Sequence, residues 1–428
     1  MDTTAGWPAV TYETHEWSSR YPSGTAPRAQ LARHQGPYQA TVPAVIANVE
    51  VRLPAEIVSA STEAAQEVAR FDAELGGEIA PFSAVLLRSE SAASSQIENL
   101  TASARAIAEA TLGEPAGANA RLVVGNVEAM KVALILADDV SADAILAMHK
   151  ALLADTDPDI AGLWRDEQVW IGGTSLGPHL ATFVPPHNLR VPGTIDDLIG
   201  FISRDDVPVL AHVALAHAQF ETIHPFPDGN GRSGRALMHS MLSHFGLVRN
   251  VTVPISAGLL VAVDDYFEAL TAYRAGDAAP IVEQVTGAAY AAVANGRQLV
   301  DDLRAMRARW DTRVRARRDA AAWRVADMLL RHPVVNVALL SEELGIAPQN
   351  LYRSIAPLVD ADVLISSGRQ RGRVWRSMEV LAAVDAFARR AGRRQGQTAP
   401  SSPTRALDAT VRRAGRRTPA RPGLREPR

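Results

Sequence analysis

Apolar residues recur at helical spacing over most of this chain. Residues 54–75 bring Ile57, Val58, Ala64, Val68 and Phe71 onto one side of a helix. The same periodicity predicts helices over 82–111, 118–136 and 141–153, the last capped by Ser141 with Asp143 in its first turn. Within 207–223, Val209, Leu210, Val213, Leu215, Ala216, Phe220 and Ile223 keep a mainly helical register, and Pro225 cannot continue it. His224 therefore falls at a helix end. Residues 232–245 read as the next helix, 256–275 contain another with Asp264 as its candidate cap, and 281 to about 318 form a long one that turns charged beyond Gln298. Residues 1–40, rich in Pro, Gly, Ser, Thr and Trp, show no period and are expected to be irregular or extended.

Two stretches leave the helical pattern. Residues 169–171 and 181–184, joined by a glycine-containing loop over 172–180, predict a β-hairpin, with Arg165 as a salt bridge at its base. Further on come helices over 321–331, 337–344 and 348–359, the last opened by Pro348 in its favoured early position. Short strands over 363–366 and 373–376 then flank a basic, glycine-rich tip at 368–372. This order resembles a winged helix-turn-helix, which implies Gln349, Asn350, Tyr352 and Arg353 on the exposed side of the second helix and Arg369, Arg371 and Arg373 on or beside the wing. DNA and protein both stay open as its partner. Residues 389–428 hold many arginines and prolines with only Asp408 and Glu426 as acids, and are expected to be mostly disordered.

Composition narrows the class. The 428 residues suit two or three domains, and 47% hydrophobic with 5% aromatic residues suffices for ordinary cores. The absence of cysteine removes disulfides, thiolate catalysis and cysteine zinc sites. The start of the chain lacks a signal-peptide pattern and no apolar run reaches spanning length, so a cytoplasmic protein without membrane contact is expected. The net charge of −3 decides nothing by itself.

The chemistry is concentrated in His224-Pro-Phe-Pro-Asp-Gly-Asn-Gly-Arg-Ser-Gly-Arg235. Gly229 and Gly231 let the backbone take positive φ and approach a ligand closely, and they feed a helix start whose free amides attract an anion. Arg232 and Arg235 project from one side of the first turn, and guanidinium forks suit phosphate oxygens. Asp228 offers the hard carboxylate that Mg²⁺ takes beside phosphate oxygens. Asn230 can donate to an anionic oxygen, and His224 can take a proton from a hydroxyl. Together these groups describe transfer of part of a nucleotide to a hydroxyl. A P-loop would need a lysine after the glycines, and an EF-hand a glutamate where His239 stands, so both fail. A hydrolytic metal site from His212, His217, His224 and Asp228, and a plain glycine turn between core helices, are weaker readings of the same residues. Tyr266 and Tyr273 are candidates for the wall of a base pocket, or core aromatics. Asn126 is expected to be a buried hydrogen-bonding residue.

The run matches the signature of the Fic proteins at each specified position, and Ala216-His217-Ala218-Gln219-Phe220-Glu221-Thr222-Ile223 before it is similar to theirs. That resemblance implies AMP transfer from ATP to a hydroxyl side chain of a target protein. His224 would deprotonate the hydroxyl, Phe226 would anchor the loop and Asp228 would hold Mg²⁺. Asn230 and the loop amides would grip the α-phosphate, with Arg232 and Arg235 on the outer phosphates. The hairpin would be a flap that clamps the target segment as an added strand.

Ser94-Ser95-Gln96-Ile97-Glu98-Asn99 matches the family's inhibitory pattern, Ser/Thr-x-x-x-Glu-Gly/Asn. By resemblance, Glu98 pairs with Arg235 and occupies the fork meant for the γ-phosphate. Taken alone, a serine and a glutamate four apart on a helix are ordinary surface residues.

The expected architecture is mainly α. An N-terminal helical region with the inhibitory helix covers 1–113, a Fic domain with its β-hairpin flap covers 114–295, a linker helix and winged helix-turn-helix cover 296–388, and a basic tail covers 389–428. The expected function is Mg²⁺-dependent protein adenylylation restrained by Glu98. The alternatives are AMP removal with Glu98 positioning water, or a DNA-binding regulator whose Fic domain senses nucleotide. A homodimer stays open.

Overall fold

The structure, a computed structural model, describes residues 6–17, 27–76, 79–367 and 373–392. The wing tip with Arg369 and Arg371 and the tail beyond 392 lie outside the described residues.

The N-terminal stretch is more regular than its composition suggests. Strands β1 (Thr11–His15) and β2 (Tyr38–Val42) pair antiparallel from Thr11↔Val42 to His15↔Tyr38, with the short helix α1 (Arg28–Ala32) between them. Helices α2 (Ala55–Glu74), α3 (Ile79–Ile97), α4 (Ala104–Thr111), α5 (Ala118–Ile135), α6 (Ala142–Leu153) and α7 (Val191–Ile202) follow. The helix expected over 82–111 is thus two. It breaks at Glu98, where Asn99 takes a left-handed conformation with φ of 62°. Asn99 N–H donates to Gln96 O at 2.9 Å and Leu100 N–H to Ser95 O at 3.0 Å, a Schellman pair that closes the helix end.

The hairpin expected over 169–184 is reduced to the bridge Ile171↔Phe183, with a second isolated bridge Thr174↔Gly177. Gly172 and Gly173, at φ of 77° and 67°, turn the chain out of extended geometry directly after Ile171. A 3₁₀ turn at Pro178–Leu180 fills the return.

Helix α8 (Val209–Ile223) is apolar on all sides except for His212, His217, Gln219, Glu221 and Thr222, and Leu210–Ile223 are buried throughout, as befits a helix at the centre of a core. It lies against α2, α7, α9 (Asn230–His244), α11 (Val263–Arg274) and α12 (Ala279–Arg313), with α10 (Ile255–Leu259) packed on α3 and α12. Helix α11 starts with Ala262 at its cap, so Asp264 is not the cap. It lies with Asp265 in the first turn, where the dipole favours acids. Tyr273 donates to Gln219 Oε1 at 2.9 Å inside the core and is no cavity wall. Asn126 is fully buried and donates to Ser91 O and Ser95 Oγ, bracing α3 from α5.

Helix α12 spans 35 residues, about 50 Å, where one long helix was expected over 281 to about 318. Beyond it come α13 (Ala321–Arg331), β3 (Val334–Asn336), α14 (Val337–Leu344), α15 (Pro348–Asp360), β4 (Ile365–Ser367), β5 (Val374–Arg376) and α16 (Met378–Ala391). The sheet order is β3-β5-β4. Helix α16 takes in Arg389 and Arg390, expected in the tail, as last-turn cations. It also packs on α3, which joins the C-terminal elements to the helix that ends at Glu98.

Candidate active site

Helix α8 ends at His224, which adopts φ of 50° and donates its N–H to Phe220 O at 2.9 Å. A left-handed residue with a side chain costs roughly 1–2 kcal/mol. Arg165 secures it. Its Nε donates to His224 O at 2.9 Å, its backbone N–H donates to Pro225 O at 3.0 Å, and its other nitrogens reach Glu167 O and Pro186 O. These acceptors are carbonyls, so the salt bridge expected for Arg165 is replaced by a clamp between the motif and the base of the 169–184 segment. Burial lowers the Arg165 pKa to about 10, which still leaves the guanidinium charged at neutral pH.

The loop after His224 is held from below. Phe226 is fully buried, its ring stacked on His149 at 3.7 Å and on Trp164 at 5.0 Å. His149 Nδ1 accepts from Gly162 N–H, so its Nε2 carries the hydrogen donated to Asp228 O at 3.0 Å. Asn230 Oδ1 accepts from Phe226 N–H at 2.8 Å and its Nδ2 donates to Phe226 O at 2.9 Å. The Asn230 side chain, expected to face a phosphate, is thus engaged in bracing the loop, which leaves its backbone N–H as the group free for an acceptor at the helix start.

Helix α9 begins at Asn230, two residues earlier than expected, with Gly229 at φ of 77° as its cap. Its first helical bond is Ser233 N–H to Gly229 O, which leaves the amides of 230–232 without intrahelical acceptors. A carboxylate occupies this cradle. A Cβ on Gly231 would lie 2.4 Å from Glu98 Oε1, so only glycine admits so close an approach. Glu98 Oε1 accepts from Arg235 Nη2 at 2.8 Å and Oε2 from Arg232 Nε at 3.0 Å. Glu98 therefore bridges both arginines, where Arg235 alone was expected. Ser94 holds Arg235 independently, its Oγ accepting from Nε at 2.9 Å and its carbonyl from Nη2 at 2.8 Å. Burial opposes the charge on Arg235, but Glu98, Tyr266 and Glu221 outweigh it and raise its pKa above the ordinary value.

One cavity of about 150 Å³ joins these groups, lined among others by Glu98, His224, Asn230, Gly231, Arg235 and Tyr266. Ile171, Thr182 and Phe183 form part of its wall. Tyr266 is buried, with its hydroxyl 2.8 Å from His217 Nε2. His224 is 4% exposed and both ring nitrogens are buried without a hydrogen-bond partner. Burial, then Arg165 and Arg274, push its pKa down to about 3, so the ring is neutral at pH 7. A smaller cavity of about 70 Å³ between α3, α4 and α16 contains none of this chemistry.

The carboxylate of Asp228 is half-exposed on the rim, with Oδ1 accepting from Gly229 N–H at 2.7 Å and Oδ2 3.8 Å from Arg232. That suits a cation bound through one protein carboxylate and phosphate oxygens. Among the described residues no three His, Asp or Glu side chains are grouped to share a metal. The hydrolytic site read from His212, His217, His224 and Asp228 is not assembled, since His212 bonds to Phe201 O and His217 to Tyr266.

Ser94 and Glu98 from the end of α3, His224 from the end of α8, and 226–235 from the loop and first turns of α9 thus converge, with Asn99 forming the turn just beyond Glu98. Four further residues belong to the site. His149 and Arg165 support the loop, and Glu221 and Arg274 line the cavity. Of these, Arg165 was expected at the base of the hairpin, and Glu221 carried a signal in lying three residues before His224; His149 and Arg274 carried none.

The sequence model of the Fic/DOC family matches residues 139–242. Residues 139–242 form a Fic domain. The chain is 28% identical over 151 residues to protein adenylyltransferase fic-1 of Caenorhabditis elegans, covering 35% of this chain and 27% of that protein. It is 36% identical over 95 residues, 20% of this chain and 30% of the relative, to a probable protein adenylyltransferase of Aquifex aeolicus. The chain therefore spans less than a third of the length of these two curated relatives. A crystal structure of a Fic family protein from Desulfovibrio desulfuricans is similar over 77% of this chain and 97% of that one, at 21% identity and a TM-score of 0.49. His224 to Arg235 lie inside the Fic domain, whereas Ser94, Glu98 and Asn99 precede it and Tyr266 and Arg274 follow it. No helix among the described residues is long and apolar enough to cross a membrane.

Proposed function

We propose that this chain is a protein adenylyltransferase that moves AMP from ATP to a hydroxyl side chain of a target protein, restrained by Glu98. The observation that carries the reading is the shared cavity. A neutral imidazole, the start of helix α9 and the Arg235 guanidinium open onto the same space, and the Glu98 carboxylate, held by Arg232 and Arg235, sits where a phosphate would. The relatives' names, protein adenylyltransferase, support the same chemistry.

In this reading the amides of 230–232, Arg232 and Arg235 bind the phosphates once Glu98 withdraws. His224 takes the proton of the target hydroxyl, and Tyr266 lies against the base. Asp228 would hold Mg²⁺, which when bound offsets phosphate charge. Asn99 holds the turn that aims Glu98, and Ser94 keeps Arg235 in place when the glutamate leaves. The target segment would lie along 169–184, whose irregular backbone offers few regular strand positions. Incubation with labelled ATP and Mg²⁺ should label the Glu98→Gly chain or an added substrate. His224→Ala should abolish labelling while leaving nucleotide binding in place. Equal labelling by the His224→Ala chain would overturn the reading.

A second reading concerns residues 321–391. Gln349, Asn350, Tyr352 and Arg353 are exposed on α15, and Arg373 lies over the Tyr352 ring at 6.0 Å. These residues favour a winged helix-turn-helix that meets DNA. Binding that weakens steeply with salt supports it, and no binding at low salt removes it.

A further inference from the structure

Glu221 has no part in the transfer chemistry just described, yet it is buried beside the base. It occupies the last turn of α8, three residues before His224, so both side chains leave the helix on the same side. Its Oε2 is 3.9 Å from His224 Nδ1, and its Oε1 is buried with no hydrogen-bond partner. The charged and titratable groups around it are Arg235 from α9, Arg274 and Tyr266 from α11, and Glu98 from the end of α3. Arg165 faces His224 as a further cation. Removing a carboxyl from water is costly, and this one supports neither a helix end nor a turn.

The imidazole has a matching need. Both nitrogens are buried without a hydrogen bond of ordinary geometry; the backbone carbonyl of Glu221 beside the ring favours the charge it acquires on taking a proton, but burial and two nearby guanidiniums outweigh it. We propose that Glu221 is the positioning residue of His224: ionised, it accepts the Nδ1 hydrogen, turns the Nε2 lone pair toward the substrate hydroxyl, and stabilises the imidazolium. A side-chain rotation that closes the 3.9 Å separation to hydrogen-bond length suffices. This inference rests on His224 acting as the base. In the step it serves, the hydroxyl O–H bond breaks and its proton goes to Nε2. The hydroxyl oxygen bonds to the α-phosphorus, and the bond to pyrophosphate breaks with its electron pair leaving on pyrophosphate. Glu221 gains and loses no proton.

The arrangement ties the base to the brake. Burial raises the Glu221 pKa to about 7, with the Glu98 charge adding to the rise and Arg235 and Arg274 opposing it. When Glu98 leaves the cradle that repulsion goes, and the ionised form of Glu221 gains. The carboxylate that blocks the phosphates also keeps the base unsupported.

The test uses the full chain carrying Glu98→Gly, with and without Glu221→Gln. An amide cannot supply the charge and can present a hydrogen to Nδ1, which selects the wrong tautomer. Glu221→Gln should lower kcat for AMP transfer by about a hundredfold, leave KM for ATP within about threefold, and remove the rise in rate with pH near neutrality. Glu221→Asp should recover part of kcat. Histidine ¹⁵N spectra of the Glu98→Gly chain should show His224 as the Nδ1–H tautomer. A kcat within threefold and an unchanged pH profile would overturn the proposal, as would an Nε2–H tautomer. Should Glu221→Gln fail to fold, Glu221→Asp decides: an unchanged kcat and pH profile would overturn the proposal, since the backbone carbonyl of Glu221 alone would then suffice to hold the ring. If no form transfers AMP, the proposed function falls, while an Nε2–H tautomer would still overturn the role of Glu221.

Discussion

Removing the Glu98 carboxylate should tighten nucleotide binding and at the same time weaken the empty protein. The carboxylate makes two charge-assisted bonds, to Arg232 and Arg235, whose side chains are each 2% exposed while Glu98 is 20% exposed. Such bonds contribute about 1.5–3 kcal/mol each. Because Glu98 touches solvent, the lower end applies, and a competing phosphate must overcome about 3 kcal/mol, roughly a hundredfold in affinity. Glu98→Gly should therefore lower Kd for a non-hydrolysable ATP analogue with Mg²⁺ by about a hundredfold and speed AMP incorporation similarly. It also leaves two buried guanidiniums without their anion, which should cost the empty protein about 3 kcal/mol. ATP should then raise the melting temperature of the variant more than that of the parent. Glu98→Gln, which keeps the shape and loses the charge, should give most of both effects. Isothermal titration, a labelling time course and thermal unfolding with and without nucleotide read them. If affinity and rate both stay within threefold of the parent, Glu98 does not restrain this site.

Other substitutions test the supports around it. Asn99→Val places a β-branched residue at φ of 62° and should cost about 1–3 kcal/mol by chemical denaturation, whereas Asn99→Gly should be close to neutral. Arg165→Met leaves the carbonyls of His224, Glu167 and Pro186 without their donor and should lower kcat with a stability loss of about 2–3 kcal/mol; unchanged kcat would show that the left-handed His224 stands unaided. Phe226→Ala removes a ring stacked on two others and should cost about 3–5 kcal/mol in denaturation experiments. His217 and His224 both have their pKa lowered to about 3, so the folded state binds fewer protons than the unfolded one as pH falls below 6.5. Between pH 7 and 5 each should cost about 2 kcal/mol, of which Glu221, raised to about 7, returns roughly the amount of one. Denaturant titrations at the two pH values should show a net loss, and equal or greater stability at pH 5 would contradict these burial assignments.

Much of the site could be read from order and spacing, because its main parts are local. A proline that stops α8, a glycine that starts α9 and two arginines one turn apart define a cradle within twelve residues, whatever surrounds them. Asn99 was named only by resemblance to the family's pattern, inside a stretch read as one helix, and its part in ending α3 with a left-handed turn came from the structure. The long helices followed from apolar periodicity, which reports which face is covered without saying by what.

Tertiary structure decided everything that depends on a partner far along the chain. Glu98 reaches Arg232 and Arg235 across more than 130 positions, and whether it meets one or both depends on the angle at which α3 ends over α9. Arg165 could be placed near the flap from sequence, but its acceptors turned out to be carbonyls, which have no residue type to read. The hairpin shrank to two isolated bridges because two successive glycines turn the backbone, and periodicity does not register φ. The protonation of the base is likewise a property of the assembly: His224 is an ordinary imidazole in the chain, and burial beside Arg165 and Arg274 sets its charge. Local sequence determines which chemical groups are available and how the backbone carries them, while long-range packing sets the dielectric and the neighbours that tune them.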